Sequence, residues 1–246
     1  MVKQGGDSWF FITADYAFGH ALERDTGDAV KAAGGKVVGA VRAPLNTSDF
    51  SSFLLQAQAS KAKVIGLANA GGDTINSIKQ ASEFGIVSSG QKLAGLLVFL
   101  TDVHSLGLKT AQGLTITSAW YWDKDDASRA FAKRFMARNP NGMPPTYTQA
   151  GVYTEVAQYL KAIQAAGTDD ADKVVAQLRN MKINDFMTKD GWLREDGRVM
   201  RDMYLEEVKS PTESKYPFDY FKILATIPAD QAFRPLKDGG CPLVHG

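Results

Sequence analysis

Three short stretches hold the side chains that could do chemistry. "DYAFGH" sets Tyr16 and Phe18 beside Asp15, "NAGGDT" runs Asn69, Ala70, Gly71 and Gly72 into Asp73 and Thr74, and "LTDVHS" holds Thr101, Asp102 and His104. Rings at Tyr16 and Phe18 offer flat apolar surface, Ala70, Gly71 and Gly72 leave room, and Thr74 and Thr101 offer hydroxyls, which is the chemistry of gripping a small molecule. If "NAGGDT" opens a helix, its first amides are free to hold a carboxylate or phosphate oxygen. A tight turn with nothing bound explains Gly71 and Gly72 equally well. The sequence has no G-x-G-x-x-G and no G-x-x-x-x-G-K-[ST], and Asp73 behind the glycines disfavours a polyphosphate.

A catalytic reading has less to stand on. His20 falls one turn inside the first predicted helix, on a face shared with Glu23 and Arg24, and reads as a solvated residue. His104 sits at a predicted strand end beside Asp102, with no paired nucleophile, so a cap or a ligand hydrogen bond is its expected role. His245 lies in the tail, and the single cysteine, Cys241, excludes a disulfide framework and a multi-cysteine metal site. No His, Cys or carboxylate ligands recur at metal-binding spacing, so neither a metal nor a cofactor is expected. Trp120, Tyr121, Trp122 and Tyr153 are expected to pack in a core or at a hinge.

The elements that must position these residues follow a strand-helix rhythm. "SWFFIT" leads to a helix with Phe18, Leu22, Thr26, Ala29, Val30 and Ala33 on one face, stopped at Gly34 and Gly35. Next come "KVVGAV" with a helix from about Asp49, "KVIGLANAGG" with a helix carrying Ile75, Ile78 and Ala81, and "KLAGLLVF" with a short helical turn. "GLTITSAWYW" then leads to the helix "DDASRAFAKRFMARN". A repeat of about thirty residues suits βαβ units and a parallel sheet covered on both faces. Two helices follow without a strand between them, the second capped by Asp169 or Asp170, before the strands "DMYLEEV" and "DYFKILAT" resume. In a doubly wound sheet of strand order 2-1-3, the ends of the first, third and fourth strands open a crevice holding residues 15–18, 69–74 and 101–104, with the Pro44 loop away from it.

Composition sets the outer bounds. The 246 residues are 44% hydrophobic, enough for the core of one or two domains, and 28 basic against 27 acidic side chains leave a formal charge of +1. Such a balance provides no basic face for nucleic acid and no polybasic strip for a membrane surface.

Taken in order, "DYAFGHAL", "AVKAAGGKVVG", "DFSSFLLQAQASKAKVIGLANAGGDTINSIKQASEFG", "GLTITSAWYW" and "DYFKILATIPADQAF" resemble a type 1 periplasmic solute-binding protein of the branched-chain amino-acid (Leu/Ile/Val)-binding ABC transporter family. The resemblance implies an α/β fold with one nearly complete lobe, residues 1–118 and 199–246, and a partial second one, the first-lobe remnant 119–198. It implies that the segment matches the C-terminal portion of that family, without the signal peptide and the N-terminal βα series. It also implies a periplasmic receptor, not an enzyme, whose lobes close on a small carboxylate, an apolar amino acid or an aromatic acid, for delivery to a membrane permease without inserting in the membrane itself. Ligand contacts then fall at Phe18 with Tyr16 nearby, at Asn69, Ala70 and Gly71, and at Thr101 or Asp102, where some relatives place the acid that receives an amino-acid ammonium and where this sequence departs from them. Two other readings stay open: a ligand-sensing domain of a regulator, which shares the fold, and an α/β enzyme with an anionic cofactor at Gly71 and Gly72.

Overall fold

The run "SWFFITA" is rich in aromatic and β-branched side chains and lacks polar alternation, which suits a strand covered on both faces. In the computed structural model it forms β1 (Ser8–Ala14), buried along its whole length. The structure describes residues 1–244, and His245 lies outside them. Helix α1 (Ala17–Ala32) follows, and the chain turns at Gly34, whose φ of 87° is the left-handed stop expected there.

The alternation continues through β2 (Lys36–Ala43), α2 (Ser51–Ala59), β3 (Val64–Ala68), α3 (Gly71–Glu83), β4 (Lys92–Gly95), α4 (Leu100–Leu106), α5 (Leu108–Ala111) and β5 (Thr115–Ser118). These strands lie in the order β2-β1-β3-β4-β5 and every adjacent pair is parallel. The strand order reverses at β1, so right-handed crossovers send α1 to one face and α2 and α3 to the other. Packing agrees, since α1 lies against β1, β2 and β3 whereas α2 meets α3, and α3 meets α4 and α5. The first strand's core partners Phe11, Ile12, Val64, Ile65 and Leu67 are fully buried. Strand β4 is shorter than "KLAGLLVF" suggests because only Lys92 to Gly95 find pairing partners on β3.

Beyond β5 come α6 (Asp126–Met136), α7 (Tyr147–Ala166) and α8 (Ala171–Asn180), with Asp170 accepting from Lys173 N–H at 3.1 Å as the cap of α8. A hairpin of β6 (Trp192–Leu193) and β7 (Val199–Met200) then turns at Asp196-Gly197, with Gly197 at φ 80°. Strands β8 (Met203–Val208) and β9 (Phe221–Ile227) extend the large sheet beyond β5, and α9 (Ala229–Ala232) follows.

The chain forms two compact units. Unit 1 is Met1–Thr117 with Glu206–Lys222, and unit 2 is Ser118–Leu205 with the segment from Ile223 onward. The backbone therefore passes between them three times, at 117/118, 205/206 and 222/223. Unit 2 centres on Trp120, Phe131, Ala150 and Met187, with Phe186 stacked on Phe131 at 3.7 Å between ring centroids. Trp120 and Tyr121 are buried in it as core side chains, while Tyr153 is half exposed on α7. Among the described residues no helix is long and apolar enough to cross a membrane, and no group of three or more His, Cys, Asp or Glu could hold a metal.

Candidate ligand-binding site

In unit 1 the strand order brings the three chemistry-bearing loops to one edge of the sheet. Thr13 of β1 pairs with Ala68 of β3, and Leu67 with Gly95 of β4, so the loops after these strands leave side by side. Tyr16 and Ala70 each lie two residues past a paired strand end, and Thr101 lies in the first turn of α4. This is the topological switch point at which open α/β sheets accept ligands.

The turn into α1 is set by a close approach. Tyr16 N–H donates to Ala14 O at 2.8 Å, folding the chain back on the strand end. A Cβ at Gly19 would sit 2.1 Å from that same carbonyl oxygen, so only glycine fits there. The tight turn presents Tyr16 with 40% of its surface exposed, its ring 5.6 Å from that of half-buried Phe18. Behind them Glu23 anchors the helix to the sheet: it accepts from Thr13 Oγ1 and makes a two-pronged pair with Arg42, one arm at 3.0 Å. Burial alone would raise the Glu23 carboxyl, but the hydrogen bonds from Arg42 and Thr13 outweigh it and hold it below its ordinary value.

The third strand's loop is organised from beneath. Thr74 Oγ1 donates to Asn69 Oδ1 at 2.7 Å, Asn69 Nδ2 donates to Ser77 Oγ at 3.0 Å, and Ser77 Oγ donates to Asp73 O at 2.6 Å. Asn69, Thr74 and Ser77 are all buried. The Thr74 hydroxyl is thus spent on Asn69 instead of facing a ligand, a correction to its expected role. Gly71 has φ 59° and it and Gly72 are exposed, with nothing within 4 Å of the place a Cβ would take on either. A left-handed φ explains Gly71, and open space surrounds both. The loop after β2 is not remote as expected. Asn46 N–H donates to Asp73 Oδ2 at 3.2 Å, and Gln80 donates to Ser48 O at 2.8 Å, because the helix this loop feeds lies on the same face as α3.

The fourth strand's loop closes on itself. Asp102 is buried and accepts from Phe99 N–H at 2.9 Å, capping α4, and burial pushes its carboxyl up despite that bond. Thr101 remains exposed. His104 Nδ1 faces Tyr220 Oη at 2.7 Å, and its ring lies 5.3 Å from Phe218. Asp102 and His104 therefore point to different partners and form no acid-base pair, which removes the geometry an enzyme reading needed. His20 is exposed, as expected of a solvated helix residue, and lies 2.9 Å from the equally exposed Asp15. Gly19 escaped the sequence reading, although a glycine in a helix's first turn directly after a strand was the available signal.

A switch-point edge with aromatic, small and hydroxyl side chains is a place where α/β sheets take small ligands, and comparison with known proteins shows the family. Residues 1–215 match the family model described as periplasmic binding protein. The chain belongs to this family. Among solved structures, a periplasmic binding protein from Burkholderia mallei is 60% identical with a TM-score of 0.91, covering 98% of this chain and 64% of its own. A branched chain amino acid ABC transporter periplasmic ligand-binding protein from Burkholderia xenovorans is 44% identical at a TM-score of 0.91, with the same coverage. A Leu/Ile/Val-binding protein homolog of Brucella melitensis is 29% identical over 215 residues, 83% of this chain and 54% of that one. The chain thus spans about half the length of the curated relatives it matches. A solute binding protein of an ABC transporter from R. palustris, in complex with 4-hydroxybenzoate, is 25% identical at a TM-score of 0.80 over 92% of this chain and 62% of its own. The family and these neighbours are solute-binding receptors, and the α/β fold with a parallel sheet is the one they share.

Proposed function

We propose that this chain is the ligand-gripping portion of an ABC transporter's solute receptor, working in the periplasm and handing a small carboxylate, an apolar amino acid or an aromatic acid, to a membrane permease. The ligand lies on unit 1 at the ends of β1, β3 and β4. There it touches Tyr16, Phe18, Ala70, Gly71 and Thr101, while Asn69 and Asp102 hold the loops beneath. Unit 1 serves as the second lobe of the receptor and unit 2 as part of the first.

The observation that carries this reading is the juxtaposition of the exposed Tyr16 ring, backed by half-buried Phe18, with the open glycines of α3 at the sheet's switch point. Stacking a ligand on such a pair contributes about 1 kcal/mol per ring. That the 4-hydroxybenzoate receptor shares this fold, and that the 44%-identical protein is described as a branched-chain amino-acid transporter component, supports both ligand classes.

Isothermal calorimetry with leucine and 4-hydroxybenzoate on the chain and on the double variant Tyr16→Ala/Phe18→Ala tests the reading. At least one compound should bind, and the variant should weaken it by about tenfold or more. Binding that the variant leaves intact would contradict the site.

A further inference from the structure

The β6–β7 hairpin and the first turns of α7 line a cavity that the receptor site does not use. Its volume is about 610 Å³, and every residue lining it belongs to unit 2. Three of those residues are arginines, Arg198, Arg201 and Arg234, in a chain whose formal charge is only +1. The acids around them are spent elsewhere or out of reach. Asp196 accepts from Arg194 through both oxygens, Oδ1 from Nε at 2.9 Å and Oδ2 from Nη2 at 2.8 Å. Asp185 Oδ1 accepts from the N–H groups of Met187 and Thr188, at 2.8 Å each. Asp185 and Glu155 act on Arg201 through their charge, and neither places an oxygen within 4 Å of its guanidinium.

Arg201 is half-buried, and burial pulls its guanidinium below its ordinary value. Among the described residues its polar contact is a thioether, Met187 Sδ, 3.0 Å from Nη1. A thioether is a weak acceptor, so most of the five guanidinium donors are left for another partner. Arg198 lies over the Phe233 ring, Cζ 5.2 Å from its centroid, and neither it nor Arg234 has a carboxylate partner among the described residues. Guanidinium groups fork onto carboxylate and phosphate oxygens. The first turn of the twenty-residue α7, at Tyr147 and Thr148, adds the positive end of its dipole, and Val152 and Phe233 supply apolar wall.

From this juxtaposition we infer that unit 2 carries a second binding site, for a small organic dianion whose oxygens fork onto Arg201 and whose second charge is met by Arg198 and Arg234. The volume is that of a small-molecule pocket, and an inorganic ion would leave most of it empty. The chemistry recognised is two negative charges on one small carbon frame, as in a dicarboxylate or a phosphate monoester. A monocarboxylate meets one guanidinium and leaves the others without a counter-charge.

Chemical-shift titrations of the 246-residue chain with glutarate, phenyl phosphate and, as the monoanion, butyrate test the site at fixed ionic strength. At least one dianion should bind about tenfold or more tightly than butyrate, with the largest amide shifts in residues 147–155 and 197–203. The tighter of the two tells a dicarboxylate from a phosphate ester. Arg201→Met should weaken that dianion about tenfold or more, and Arg201→Lys, which keeps the charge without the fork, should restore it only in part. The double variant Arg198→Ser/Arg234→Ser alters exposed positions, so it keeps the test valid if Arg201→Met fails to fold, and it too should weaken the dianion about tenfold. Dianions held no more tightly than butyrate, or affinity unchanged in the folded variants, would overturn the inference. So would shifts confined to the loops after β1, β3 and β4, which would place the dianion in the receptor site of unit 1.

Discussion

Gly19 and Asn69 are the residues on which the edge's geometry turns. Gly19→Ala places a methyl against Ala14 O, and the forced shift of α1's first turn should destabilise the protein by about 1–3 kcal/mol and displace Tyr16 and Phe18 together. Chemical denaturation gives the first quantity, and ligand affinity should fall with it. Asn69→Ala removes the acceptor of Thr74 and the donor to Ser77, and leaving buried groups unpaired costs about 1–3 kcal/mol. Unchanged stability in either variant would show that the loops are held by something else. That Tyr16, Phe18, Ala70 and Thr101 lie just past neighbouring strand ends was legible in sequence, because aromatic, small and hydroxyl residues follow apolar runs there. The inward turn of Asn69 and Thr74 was not, since nothing in "NAGGDT" tells a hydroxyl facing solvent from one bonded to its own helix. His104's partner Tyr220 lies 116 positions away and could not be read locally.

At the scale of elements, the order 2-1-3 with the fourth strand beyond it agrees with the observed β2-β1-β3-β4, because right-handed βαβ crossovers leave few topologies, whereas the place of β5 was not read from the sequence. The β6–β7 hairpin was missed despite an Asp-Gly turn signal, because two paired residues per strand give almost no periodicity. Helix α6 offers a test of local control. Its cap Asp125 accepts from Ser128 N–H at 2.8 Å and from Lys124 Nζ at 2.7 Å. Burial opposes ionisation, yet these bonds hold the carboxyl at about 2, below its ordinary 3.8. A carboxylate depressed in the folded state adds stability above its unfolded value that is lost as the pH falls through its folded one. Asp125→Ala should therefore cost about 1 kcal/mol at neutral pH, and the two proteins' thermal stabilities should converge as pH drops from 4 towards 2. A gap as wide at pH 2 as at neutral pH would contradict the assignment.

Across the whole molecule, exposed apolar side chains gather most closely along α7. On α7 the side chains Val152, Tyr153, Val156, Tyr159 and Leu160 recur at one-face spacing, each about half exposed, on a chain that covers 64% of its Burkholderia mallei relative. Val156→Lys with Leu160→Lys should lower the fluorescence of the apolar dye anilinonaphthalene sulfonate while changing stability by no more than about 0.5 kcal/mol per site. A large loss of stability would instead mean that these side chains are part of the core.

The central claim is that neighbouring strand ends of unit 1 hold the ligand, and the most direct measurement is a residue-resolved map of amide shifts on adding 4-hydroxybenzoate. The account predicts that the largest changes fall on Tyr16 to Phe18, Ala70 and Gly71, and Thr101, moving in proportion at every addition. Shifts centred on α6, α7 and α8, with those loops silent, would contradict it.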